Sequence, residues 1–189
     1  MSEPRRKATY DDLCAVPEHF VAEIVGGELV TSPRPRPRHS HTTSAIGSQL
    51  FDPFNRPPGD PDGLGGWWIL FEPELHLGED VLVPDIGGWR RSRMPTLPEE
   101  VGIRTAPDWV CEVLSPTTSR LDRLRKMPIY ARERIEHCWL VDPLARTLEV
   151  FRLHGGRFEV TSTHGGAERV RLDPFDAIEL DLARWWVSD

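Results

Sequence analysis

The stretches VLVPDI (Val81–Ile86), PDWVCEVL (Pro107–Leu114) and SPTTSRLDRLRK (Ser115–Lys126) decide how this chain is read. The first two are short apolar runs of strand character. Asp85 and Glu112 each interrupt one of them, and a carboxylate inside an otherwise buried run is costly unless a cation or a hydrogen-bond network balances it. A hard divalent metal would balance both. Downstream, Ser115–Ser119 supplies helix-capping residue types, and Arg120–Arg132 reads as a basic helix carrying Lys126. A positive group thereby returns towards the two acids.

Working outward, Val81–Trp89 reads as one strand, preceded by strands at Trp67–Phe71 and Glu74–Leu77, with Gly78, Glu79 and Asp80 as a turn. Upstream, Thr9 suits the N-cap of a short helix, Tyr10–Val16, with Asp11 and Asp12 in its first turn. Phe20–Val25 and Glu28–Thr31 form a hairpin across Gly26 and Gly27. Prolines at 33, 35 and 37 make Ser32–Arg38 extended and stiff, and a helix follows over His39–Phe51. Asp52–Gly66 and Arg90–Ala106 are long loops. After the Lys126 helix come a buried strand at Cys138–Val141 and a hairpin, Thr147–His154 with Arg157–Thr163, turning at Gly155 and Gly156. The tail, Ala177–Trp186, fits strand or helix. The tryptophans sit mostly in apolar runs and belong to the core; Trp185 and Trp186 have the alternative of covering a sheet edge or a subunit contact. With no repeat and no shift in composition, residues 1–189 are expected to form a single α/β domain around an open, mixed sheet.

A hydrophobic content of 39% with 28% charged residues is that of an ordinary globular chain. No apolar run approaches the ~18 residues of a membrane span, and the first residues are polar, so the expected location is the cytoplasm. Cys14, Cys111 and Cys138 are odd in number and form no CxxC pair, and the last two sit in apolar runs, which suggests buried free thiols. The net charge of −7 argues against a protein that coats nucleic acid through its overall field. Local charge differs: Arg34, Arg36, Arg38, His39 and His41 cluster, Arg90, Arg91 and Arg93 follow Asp85, and Arg120, Arg123, Arg125 and Lys126 follow Glu112. Such a collar around a metal suits a phosphate-bearing substrate.

The order Pro84-Asp85, Glu112, Lys126 resembles the PD-(D/E)XK nuclease superfamily. Within it, GGELV (26–30), SPRPRPRH (32–39), VPDI (83–86), PDWVCEVLSPTT (107–118) and CWLVDP (138–143) resemble the bacterial Uma-type restriction-endonuclease family. The resemblance implies a restriction-endonuclease-like mixed β-sheet flanked by helices, with an N-terminal and a C-terminal hairpin. It also implies that Asp85 and Glu112 hold a divalent metal, Mg²⁺ with Mn²⁺ as substitute, and the carbonyl of Val113 would add an oxygen. The superfamily's lysine two residues after the glutamate is here Leu114; Lys126 matches the Uma-type relocation to the next helix. Glu28 matches the acid of the family's early hairpin, and His39 its histidine after the proline-rich segment. Catalytic roles are therefore expected for Asp85, Glu112, Lys126 and Glu28, and substrate contacts for His39, Arg38 and Arg123. The reaction would be phosphodiester hydrolysis, with nucleic acid as partner, DNA ahead of RNA, in a chain that forms a homodimer. The rival is a noncatalytic nucleic-acid or protein binding module that keeps the fold, distinguished by the absence of metal stabilisation through Asp85 and Glu112. For the enzyme, Lys126→Met is expected to abolish cleavage while sparing the fold.

Overall fold

Two adjacent glycines with positive φ, Gly26 at 61° and Gly27 at 79°, form the two-residue turn that matches strand twist. They join β1 (Phe20–Val25) to β2 (Glu28–Pro33). In the computed structural model, which describes residues 6–59 and 64–187, this hairpin lies beside β5 (Asp80–Leu82) and β4 (Leu75–Leu77) in a sheet ordered β2-β1-β5-β4. Before it stands α1 (Tyr10–Cys14), two residues shorter than expected, closed by a capping box in which Thr9 and Asp12 satisfy each other's backbone N–H groups.

The larger sheet runs β10-β9-β8-β7-β6-β3. Its members are β3 (Trp67–Phe71), β6 (Ile86–Arg90), β7 (Trp109–Val113), β8 (His137–Asp142), β9 (Thr147–His154) and β10 (Arg157–Gly165). All neighbouring pairs are antiparallel except β7 with β8. That parallel step needs a crossover, and the segment carrying Lys126 supplies it.

The single strand expected over Val81–Trp89 is instead two. Pro84 has no N–H for a ladder, and the chain changes sheets there, leaving β5 and entering β6. Asp85 therefore stands at the corner between the sheets. The crossover also departs from a regular helix. It passes from α3 (Ser119–Leu121) through a π turn, Asp122–Lys126, into α4 (Met127–Arg132). Pro128 explains the wide turn: in an α-helix its ring would meet the Leu124 carbonyl. Here the Met127 N–H reaches back five residues to the Asp122 carbonyl.

Helix α2 (Pro37–Phe54) is longer than expected at both ends. Pro37 occupies its first turn, where a missing N–H costs nothing, so the stiff extended segment ends at Arg36. Thr42, Ile46, Leu50 and Phe54, four residues apart, form its buried stripe. It lies close to β3: a Cβ on Gly47 would stand 2.1 Å from the Phe71 ring.

Strand alternation divides the core. On β7, Trp109, Cys111 and Val113 face α2 and the C-terminal segment, whereas Val110 faces the crossover and the smaller sheet. Glu112, two residues on, shares the face of Val110. The tail resolves into β11 (Arg169–Val170), β12 (Leu180–Asp181) and a 3₁₀ turn, Leu182–Trp185. Trp185 and Trp186 are buried within this chain's core, which removes the subunit-contact alternative. Trp185 stacks near Trp139, and Phe175 packs against Phe54, Trp67, Trp109 and Trp139. Among the described residues, no helix is long and apolar enough to cross a membrane.

Candidate active site

The β6–β7 ladder stops at Ile86 opposite Cys111, and the next acceptor for β7 is a side chain. Asp85 Oδ2 accepts the Val113 N–H at 2.6 Å, which draws the Asp85 carboxylate beside the strand that carries Glu112. Asp85 Oδ1 lies 3.2 Å from His39 Nε2. Burial pulls the His39 imidazole down, but the hydrogen bond and charge of Asp85 outweigh it and leave its pKa raised.

Glu112 is buried with Lys126. Glu112 Oε1 accepts from the Tyr130 hydroxyl at 2.5 Å and from Lys126 Nζ at 2.8 Å. The same ammonium lies 3.0 Å from Glu23 Oε1 and 3.7 Å from Asp122 Oδ1, and donates to the Val83 carbonyl at 3.3 Å. Glu23 is fixed in turn by the Val83 N–H at 2.8 Å. Burial opposes the charge on Lys126, yet Glu112, then Glu23, hold its pKa well above the ordinary lysine value. Glu112 is pushed well above the carboxylate range, first by burial and, against the pull of Lys126, by the charges of Asp122, Asp85 and Glu23. Asp122 is raised to about 6, mainly by burial, with Lys126 and a Thr118 hydrogen bond opposing.

Glu23, His39, Asp85, Glu112, Asp122 and Lys126 line one cleft of about 310 Å³. Of the site residues expected from sequence, the fold brings together Asp85, Glu112, Lys126, His39 and Arg38. Glu28 is not among them. The β1–β2 register sets it opposite Val25 at the turn, two strand positions, about 7 Å, beyond Glu23, and it pairs at 3.0 Å with Arg125. Arg123 is also turned elsewhere, towards Glu149 on β9. The acid that the first hairpin contributes to the cleft is Glu23. Its signal, a carboxylate inside the apolar run FVAEIV, is the one that singled out Glu112. Asp122 and Tyr130 were legible only as neighbours of Lys126, Asp122 as its partner four residues back, because their burial depends on where the crossover lies.

The donor set fits a divalent cation. Asp85, Glu112, Glu23 and Asp122 put four carboxylates against one lysine and one histidine, an excess of acidic over basic groups that a cation would balance. Among the described residues, no group of three or more His, Cys, Asp or Glu side chains forms a ready cage. Two carboxylates completed by water are a known way of holding a hard divalent cation.

A family model described as "Putative restriction endonuclease", Uma2, matches residues 8–183. A crystal structure of a putative nuclease belonging to DUF820, from Anabaena variabilis, superposes with a TM-score of 0.71 at 24% identity, covering 94% of this chain and 98% of that one. At that identity the likeness speaks for the fold. No curated protein matches the chain.

Proposed function

The chain belongs to the Uma2 putative restriction endonuclease family, and from that premise we propose that it is a metal-dependent nuclease hydrolysing phosphodiester bonds in DNA. The observation that carries the proposal is the Asp85–Val113 hydrogen bond, because it sets the carboxylates of Asp85 and Glu112 on one cleft beside a buried ammonium. What supports DNA as the substrate class is the family's description as a putative restriction endonuclease.

Asp85 and Glu112 would hold the cation, Mg²⁺ or Mn²⁺. When bound, the metal supplies Lewis-acid polarisation of the phosphate and a more acidic water. The chain's own groups do the rest. Tyr130 and Lys126 fix the Glu112 carboxylate on one side, leaving its orientation set before substrate arrives. Lys126, kept cationic by Glu112 and Glu23, brings positive charge towards the phosphate as negative charge grows on it. Arg38, on the cleft wall, holds the substrate backbone. Asp122, with a pKa about 6, is the cleft carboxyl best matched to taking up or releasing a proton near neutrality.

The test is cleavage of labelled oligonucleotides with Mg²⁺ or Mn²⁺, with Asp85→Ala as control. Metal-dependent cleavage by the wild type that disappears in the control is the expected result. Equal cleavage by both proteins would overturn the assignment.

A further inference from the structure

The groups assigned to chemistry lie deep. The side chains of Glu112 and Lys126 are 4% and 3% exposed, and that of Asp85 15%. A phosphodiester must descend to the floor of the cleft to meet a metal held there. At about 310 Å³ the cleft is at the lower end of pockets that enclose a small molecule, whereas an intact duplex is a rod with two backbones flanking a major groove about 12 Å wide.

The walls are unlike each other. One is the Ser32–Arg38 segment, where Arg34, Arg36 and Arg38 alternate with prolines. Arg34 is already braced, its Nη2 donating to the Glu18 carbonyl at 2.7 Å. Another part of the lining, Ser115–Thr118 with Pro143 and Leu144, contributes no basic residue. Two backbones need positive charge on both sides, and one backbone needs a single basic track. The net charge of −7 offers no broad positive field in compensation. Pro33, Pro35, Pro116 and Pro143 all belong to the lining, and their rings fix φ, which stiffens the chain around the cleft.

We propose, resting on the nuclease reading above, that the cleft admits one DNA strand at a time, so that the form cleaved is a single strand or an unpaired end and not the interior of a duplex. The backbone runs along Arg34, Arg36 and Arg38, and the aliphatic lining residues Leu114 and Leu144 take the faces of unstacked bases.

The experiment uses the full chain and one sequence in three forms: a labelled single strand, the blunt duplex, and the duplex with a single-stranded flap. Cleavage is followed with Mg²⁺ or Mn²⁺, and binding by fluorescence anisotropy with Asp85→Asn. The expected result is cleavage of the single strand and the flap at least about tenfold faster than of the duplex, with the same order in affinity. Arg36→Ala is expected to weaken single-strand binding and to lower its salt slope by about 0.7. A duplex cleaved or bound as well as the single strand overturns the inference, as does an Arg36→Ala variant with unchanged affinity and slope. If the wild type cleaves none of the three, the nuclease reading falls, and the ratio of affinities still decides which form the cleft accepts.

Discussion

The Asp85 carboxylate takes over the place of a missing strand residue: its Oδ2 accepts the Val113 N–H at 2.6 Å where the ladder between β6 and β7 has ended. Asp85→Asn retains an oxygen for that N–H and loses the charge. It is expected to melt near the wild-type temperature without metal, yet to lose both cleavage and Mg²⁺-dependent stabilisation. For the wild type that stabilisation would be about 2.7 kcal/mol at a hundredfold excess over Kd. Asp85→Ala leaves the N–H unpaired and should cost a further ~1–3 kcal/mol. Thermal melts with and without Mg²⁺ separate the two variants, and a full metal shift in Asp85→Asn would remove Asp85 from the metal site.

Lys126 is a buried counter-ion as well as a candidate catalyst, which revises the expectation that Lys126→Met spares the fold. Its ammonium stands within 3.0 Å of both Glu112 and Glu23. Removing one partner from a buried ionic cluster costs roughly 3–5 kcal/mol. Lys126→Met should therefore lose cleavage and also unfold at distinctly lower denaturant, measured by urea titration at neutral pH. A wild-type midpoint would contradict the burial of this lysine.

Asp122 sets a pH dependence whose sign can be worked out. Its carboxyl is raised from 3.8 to about 6 by burial, with Lys126 opposing, so between those values the folded state binds more protons than the unfolded one. Stability contributed here is complete below pH ~4 and falls as the pH rises towards ~6. Asp122→Asn, which cannot titrate, should flatten this slope, gaining relative to wild type by up to ~3 kcal/mol across the window. Paired melts at pH 4.5 and 7 read the difference; parallel profiles would mean that Asp122 is not perturbed.

Glu23 and Glu28 differ by their place in one hairpin. Glu28 is half exposed and pairs with Arg125 at the turn, so Glu28→Gln should change stability by no more than ~1 kcal/mol and cleavage little. Glu23→Gln weakens the anchor of Lys126 and is expected to lower kcat by about 10²-fold. Single-turnover rates of the two variants decide the matter, and the opposite ranking would return the role to Glu28.

The sequence by itself determined the elements and much of the chemistry. Short apolar runs bounded by turn residues gave the strands, paired glycines the hairpins at 26–27 and 155–156, and acids within apolar runs pointed to Asp85 and Glu112. These signals are local, because the cost of burying a carboxylate falls on the run that contains it. Tertiary structure decided the rest. Val81–Trp89 has the composition of one strand, and only the presence of two sheets to receive its halves makes Pro84 a corner. The helix beyond Ser119 shows Pro128 as a defect in sequence, but the resulting π turn, and the neighbours it gives Lys126, depend on the crossover packing against β7. Glu23 and Glu28 carry the same side chain in the same hairpin. Which of them enters the cleft is set by the distance of each from the turn and by the sheet packed behind it, because a carboxylate acts only on the charges within a few ångströms of it.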